Sequence, residues 1–139
     1  MQRRSAARRR LSAAAAGTEG SAPVEFVLVG AMLTFLTLGV LQFGLAVYVK
    51  NVVHDAAVEG AYHAALADTS LAEGAARTRA IVARTVGEAY AADVVARTRG
   101  DLGQPVVQVT VVAPLPVVGL VGVPGTMEVT GHAPIESLG

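Results

Sequence analysis

The longest apolar stretch of the chain lies near its N-terminus and is apolar on every side. From Phe26 to Val49 there are twenty-four residues without a charge, and Gln42 is the only strongly polar side chain among them. At about 1.5 Å per residue a helix of this length reaches about 36 Å, which exceeds the roughly 30 Å of a bilayer's apolar core. The pattern predicts a transmembrane helix, which we assign to residues 21–50.

A cleaved secretory signal peptide is the alternative interpretation of this stretch. The apolar region of such a peptide covers only about 7–15 residues and is followed by an Ala-x-Ala-like site. The run in this chain is longer, and residues 46–48 match such a site poorly. We therefore favour a retained membrane helix.

Beyond Lys50 the helical pattern continues, but it now distinguishes two faces. Small and aliphatic residues recur at helical spacing on one face, namely Val52, Val53, Ala56, Ala57, Gly60, Ala61 and Ala64. Polar residues take the other positions, namely His54, Asp55, Glu59 and His63. This spacing predicts that the membrane helix runs on into an amphipathic helix.

A second helix is predicted to begin after Ser70. The sequence Ser70-Leu-Ala-Glu73 matches a capping box, in which the first and fourth residues satisfy each other's backbone N–H groups. Its apolar stripe would consist of Leu71, Ala75, Val82, Val86 and Ala89, with Arg77, Arg84 and Glu88 roughly opposite. The glycines at 100 and 103 are predicted to end a helical region that covers residues 51–99.

The last third of the chain has the composition of strands. Residues 105–113 are rich in β-branched side chains, and residues 126–133 alternate, with Met127 and Val129 on one side. The two segments are predicted to pair as a small antiparallel sheet within a β-rich region, residues 104–134. The apolar connection 114–125 is either a core-filling loop or an exposed patch for a partner or the membrane surface. We favour the loop, since connections usually pack on their own domain.

These elements describe a membrane-anchored α+β protein, and its charges orient it. Five arginines (Arg3, Arg4, Arg8, Arg9 and Arg10) precede the apolar run, whereas Lys50 alone follows it closely. By the positive-inside rule the N-terminus is cytoplasmic. The predicted organisation is a basic leader (1–20), a transmembrane helix (21–50) and an extracytoplasmic domain (51–139). One short basic tail is no general nucleic-acid footprint, so we expect no nucleic-acid partner.

The chain offers few groups for catalysis or metal binding. It has no cysteine and three histidines, at positions 54, 63 and 132. Glu59 and His63 stand one helical turn apart, as in part of a zinc site, but no His-Glu-x-x-His pattern is present. Solvated polar side chains are the favoured interpretation. We expect no catalytic residue, metal, cofactor or small-molecule substrate.

The charge at Glu25 needs an explanation because it lies at the mouth of the apolar run. A carboxylate near the start of a helix is stabilised by free N–H groups and needs no specific partner. However, a basic leader, Gly20, four residues and then Glu25-Phe26 resemble the class III signal of type IV pilin-like proteins. That resemblance implies cleavage between Gly20 and Ser21 by a prepilin peptidase. It also implies that Glu25 pairs with the new amine of a neighbouring subunit.

A longer stretch is similar to the TadE-like family of tight-adherence (Flp) pilus assembly proteins. The resemblance is carried by Gly20-Ser21-Ala22, Val24-Glu25-Phe26, Gln42-Phe43-Gly44 and Ala56-Ala57-Val58-Glu59-Gly60-Ala61. Where the family often has an arginine next, this chain has Tyr62. The resemblance implies a single-pass pseudopilin that works in the membrane with other pseudopilins, platform proteins, a secretion-type ATPase and a prepilin peptidase. The alternative is an uncleaved single-pass protein with an interaction domain unrelated to pili.

Overall fold

The computed structural model describes residues 20–101, 103–116 and 125–135. The predicted basic leader, apart from Gly20, and most of the apolar connection 114–125 therefore lie outside the described residues. Within the described part, the chain forms a long helix, a second helix and a three-stranded antiparallel sheet. The predicted α+β class is confirmed.

Helix α1 runs from Ser21 to Ala65, 45 residues in all. Pro23 lies in its first turn, where a missing N–H group leaves no intrahelical hydrogen bond unmade. The chain divides into two compact units within this helix, one up to Leu41 and one from Gln42 onward. The predicted continuation of the long apolar helix beyond Lys50 is confirmed, and the small residues on one face of this continuation are buried.

Helix α2 spans Leu71–Thr85, and the predicted capping box at its start is present. The backbone N–H of Glu73 donates to the Ser70 hydroxyl over 3.2 Å, and the Ser70 backbone N–H donates to the Glu73 carboxylate over 2.7 Å. A short 3-10 helix follows at Glu88–Tyr90, after Gly87, whose φ of 114° favours glycine. Ala89, predicted in the apolar stripe, is exposed beyond the end of α2.

The sheet contains strands β1 (Asp93–Asp101), β2 (Gln104–Pro114) and β3 (Thr126–Pro134), paired in that order. The predicted pairing of the last two segments is confirmed, with Val111 opposite Val129. The prediction of a helical region through residue 99 is wrong, because residues 93–99 belong to β1. The glycine-containing segment after it is a tight hairpin, in which Gly103 has a φ of 84°.

The core lies between the inner face of the sheet, α2 and the part of α1 that follows Gln42. It is built from small side chains. The largest that are fully buried are Val53, Val82, Val107, Val109, Val111 and Thr78. Such a core requires close backbone approach, and glycines provide it. A Cβ at Gly131 of β3 would overlap the α1 backbone at Ala57 and Val58.

Candidate assembly site and membrane helix

The predicted assembly residues lie at the start of α1. Gly20 is an exposed turn residue directly before the helix, and Ser21 is the first helical residue. Glu25 is the fifth residue of the helix, so it lies just beyond the first turn and not within it, where the helix-start interpretation expected it. Phe26, beside it, leaves 80% of its surface exposed.

Glu25 makes no hydrogen bond or ion pair with any other residue in the described part of the chain. Its carboxylate projects from a helix whose neighbouring side chains are apolar. An unpaired carboxylate in such surroundings favours either water or an opposite charge from outside the chain. This is the chemical property that pairing with another subunit would use.

The first part of α1, up to Leu41, carries a continuous apolar surface. Its exposed large side chains are Val24, Phe26, Val27, Leu28, Val29, Met32, Leu33, Phe35, Leu36, Leu38, Val40 and Leu41. An 18-residue window of α1 has a mean hydropathy of 2.2, and none of that window is buried. By length and composition this helix is able to cross a membrane.

Two hydroxyls inside this apolar surface are satisfied by the helix itself. Thr34 donates to the carbonyl oxygen of Gly30, and Thr37 to that of Leu33, each over 2.8 Å. A hydroxyl bonded one turn back needs no partner from its surroundings, so it is tolerated in lipid. The two threonines therefore need no hydrogen-bond partner outside the helix, and they do not interrupt its apolar surface.

Gln42 marks the point from which α1 becomes partly covered by the rest of its unit. Its Nε2 atom donates to the carbonyl oxygen of Pro116 over 2.8 Å. Leu45 packs against the core, and Val49 is buried within it. The predicted transmembrane segment 21–50 thus includes residues that the C-terminal unit covers on one side.

Of the residues considered for a zinc site, Glu59 pairs with an arginine. Glu59 accepts hydrogen bonds from Arg77 of α2, over 2.9 Å from Nε, and the pair is about half exposed. His54 and His132 are exposed, and His63 is half-buried. Among the described residues, no three His, Asp or Glu side chains are close enough to hold a metal ion.

Sequence patterns did not predict the contacts that hold α1 and α2 together. Thr78 of α2 is fully buried and donates to the carbonyl oxygens of Ala56 and Gly74, each over 3.1 Å. A Cβ at Gly60 would overlap the Thr78 side chain, and one at Gly74 would lie 2.5 Å from the Gly60 carbonyl oxygen. The signal available beforehand was Gly60 on a small-residue face, without its partner.

A comparison with models of protein families finds a match, which covers the first 42 residues that the structure describes. The model of the TadE-like protein family matches residues 20–61. Residues 20–61, which are similar to this family, are called the TadE-like segment below. The family comprises components associated with the Tad/Flp pilus and is not known for enzymatic activity. No curated protein and no solved structure matches the chain significantly.

The TadE-like segment begins at Gly20 and ends at Ala61. It therefore contains Glu25, the exposed part of α1 up to Leu41, and Gln42, from which the helix becomes partly covered. It also contains most of the small-residue face that packs on the chain's own core, up to Ala61. Helix α2 and the sheet lie outside the match. The resemblance therefore concerns the long helix, both its exposed part and the part that packs on the core.

Proposed function

We propose that this protein is a non-enzymatic, pseudopilin-like membrane component of Flp pilus assembly or of a related secretion machine. The observation that carries the proposal is the position of Glu25. It is an exposed carboxylate without a partner among the described residues, on an apolar helix, five residues after Gly20 and inside the TadE-like segment. The protein would act by helix packing and protein contacts.

The proposed topology follows from the apolar helix and the charges around it. The bare part of α1, residues 21–41, would be about 31 Å long, close to the thickness of a bilayer core. The five arginines of the leader would remain in the cytoplasm. The unit from Gln42 onward would then lie outside the cytoplasm.

Cleavage between Gly20 and Ser21 would give Glu25 its partner. The position of the helix start supports this proposal, because Gly20 is exposed in a turn while Ser21 is already helical. Pro23 interrupts no hydrogen bond there, so the spacer remains helical after processing. The free amine of Ser21 would be a cation at the helix start of each mature subunit.

Pairing would make the carboxylate tolerable inside an assembly. A carboxylate near the bilayer centre costs about 2.5–3.5 kcal/mol on insertion scales, and less near the interface. When the Glu25 carboxylate of one subunit meets the Ser21 amine of the next, neither charge enters the apolar packing alone. Phe26 and the apolar side chains after it would supply the packing. Lipid, a prepilin peptidase, other pseudopilins and platform proteins are the partners this implies.

The test replaces Glu25 with glutamine in cells that carry the cognate pilus genes. Glu25→Gln keeps the shape and removes the charge, so we expect normal membrane insertion but a large loss of the subunit from crosslinked assemblies. Glu128→Gln is the matched control, since Glu128 is an exposed glutamate on β3. Assembly of Glu25→Gln at the level of the control would contradict the pairing and favour a plain single-pass membrane protein.

A further inference from the structure

The connection between β2 and β3 is attached to α1 at Gln42. The Gln42 side chain donates to the Pro116 carbonyl oxygen over 2.8 Å. One residue earlier, the Leu115 N–H donates to the Gly125 carbonyl oxygen over 2.9 Å. Both described ends of the connection therefore meet beside the same residue of α1.

The other side of α1 at this level is bare and apolar. Phe43 is 72% exposed and Val47 is 41% exposed, whereas Leu45 packs against the core. Tyr48 is 53% exposed and is followed by the exposed cation Lys50. A tyrosine and a lysine at the end of an apolar surface are typical of the membrane–water interface.

These positions set a depth for the connection. Gln42 precedes Tyr48 by six residues, which is about 9 Å along a helix. If Tyr48 and Lys50 lie in the headgroup layer, the Pro116 carbonyl bonded to Gln42 lies about one helical turn or more beneath them. Elements that lie in the interface typically enter it by about 5–10 Å, the same range.

The chemistry of the connection suits that depth. Residues 114–125 contain no charged side chain, and Leu115 leaves 37% of its surface exposed. The nearest charged row of the sheet places Asp93 and Glu128 on either side of Val112, two residues back from the end of β2. Acidic residues at this end give no attraction to anionic lipid, so any membrane contact here is apolar.

We infer that the ends of the β2–β3 connection, Leu115–Pro116 and Gly125, lie in the outer interface layer of the membrane. The partner of this surface is lipid, and the contact is a second attachment of the C-terminal unit besides α1. The inference rests on α1 crossing the bilayer, as proposed above, but it does not depend on a role in pili.

The absence of cysteine from the chain makes depth measurable with single spin labels. The full chain carrying Leu115→Cys would be labelled in phosphatidylcholine nanodiscs and its collisions with oxygen and with a water-soluble nickel chelate compared. Val95→Cys and Leu66→Cys are matched controls of similar exposure, 39% and 42%. Phe35→Cys reports the bilayer core.

We expect the oxygen-to-nickel ratio at residue 115 to lie several-fold above that at 95 and 66 and below that at 35, as for a label in the interface. A ratio at 115 equal to the two controls would overturn the inference, as would low accessibility to both reagents, which indicates a loop packed in the core. A water-like ratio at 35 would overturn the inference together with the proposed membrane span. A core-like ratio at 35 together with a water-like ratio at 115 would overturn this inference alone and leave the proposed function intact.

A second variant tests the attachment at Gln42. Gln42→Leu removes the donor to Pro116 while keeping the side chain's size and its compatibility with lipid. We expect the oxygen-to-nickel ratio at a Leu115→Cys label to fall towards that of the Val95 control. An unchanged ratio would show that the Gln42 bond does not hold the connection at its depth. Circular dichroism of each labelled chain verifies that the fold is retained.

Discussion

The two parts of α1 are continuous in the chain but opposite in their surroundings. Residues 21–41 expose bulky apolar side chains all round, whereas the part after Gln42 buries one face in its own unit. The difference is one of side-chain size and charge. The first part has Phe, Leu and Met on every side, and the second has Ala and Gly on one face and charges on the other.

Small side chains explain how the second part packs closely on the chain's own sheet. At Gly131 the β3 backbone reaches the α1 backbone, and at Gly60 and Gly74 the two helices do the same. A helix covered with Leu and Phe holds neighbouring backbones apart and presents its surface to lipid or to other helices. One part of α1 thus packs on the core of its own unit, and the other exposes an apolar surface.

The largest effect on this comparison should come from Gly131→Ala. Its Cβ would overlap the α1 backbone at Ala57 and Val58, so the sheet and the helix must separate. We expect a loss of about 3 kcal/mol or more in the free energy of unfolding, at the upper end for an overpacked core. Urea unfolding of the full chain in micelles, followed by pulse proteolysis, measures it.

Gly39→Ala is the control in the bare half, where a Cβ meets nothing within 4 Å. It should leave the stability of the C-terminal unit unchanged. Equal effects of the two alanines would contradict the division of α1 into a bare and a covered half.

A charge in the bare half should affect membrane insertion and not folding. Leu36→Asp places a carboxylate near the middle of the apolar segment, which costs about 2.5–3.5 kcal/mol on insertion scales. We expect a marked decrease in the carbonate-resistant membrane fraction. Tyr62→Asp, at an exposed position of the covered half, should insert normally. Equal insertion of both variants would argue against the assigned span.

A smaller effect is expected from Thr78→Val. The change keeps the shape but removes the hydroxyl that links α2 to the Ala56 carbonyl. A net loss of about 1 kcal/mol in the free energy of unfolding is typical for one such hydrogen bond. Thr34→Val in the bare half removes only a bond within one helix, so it should change the stability of the C-terminal unit very little. A similar loss from both variants would contradict this difference.

An effect no larger than that of Thr78→Val is expected at the start of α2. The Ser70 hydroxyl, and then the Ser70 backbone N–H, donate to Glu73 and hold the pKa of that carboxyl below its ordinary value; slight desolvation opposes them and His63 assists. Because the pKa is lower in the folded state, the stabilisation is present above the ordinary pKa of a glutamate. It is lost as the pH falls through the folded value.

Ser70→Ala should lower stability by about 1 kcal/mol at neutral pH, as expected for a lost helix cap. The difference from the unaltered chain should diminish in acid. Unfolding free energies measured at neutral and acidic pH check this. A difference that grows as the pH falls would contradict the assignment.

Sequence patterns predicted the elements whose signals are local. The charge-free run, the Ser70–Glu73 capping box and the alternation around Val129 each correspond to an observed element. Strand β1 was missed because Val86 and Ala89 extend an apparent helical stripe, while the break occurs at Gly87 through its positive φ. The covered side of α1 near Val49 was also hidden, since apolar residues that face a core and those that face lipid look alike in sequence.

The glycine contacts could not be predicted from one sequence, because each requires a partner distant in the chain. Gly131 and Ala57 are brought together only by the fold. The candidate assembly site, in contrast, is visible in one sequence because its residues are neighbours in the chain. The site lies within seven residues and consists of Gly20, Ser21, Glu25 and Phe26, so the sequence shows their spacing directly. The roles of these residues stay predictions.

The most direct test of the account is the mass of the mature chain. The protein would be isolated from membranes of cells with and without the cognate prepilin peptidase, and its N-terminus determined by mass spectrometry. We expect a chain beginning at Ser21 with the peptidase and the full leader without it. A chain that keeps Met1 when the peptidase is present would contradict the proposed amine at Ser21, and with it the pairing role of Glu25.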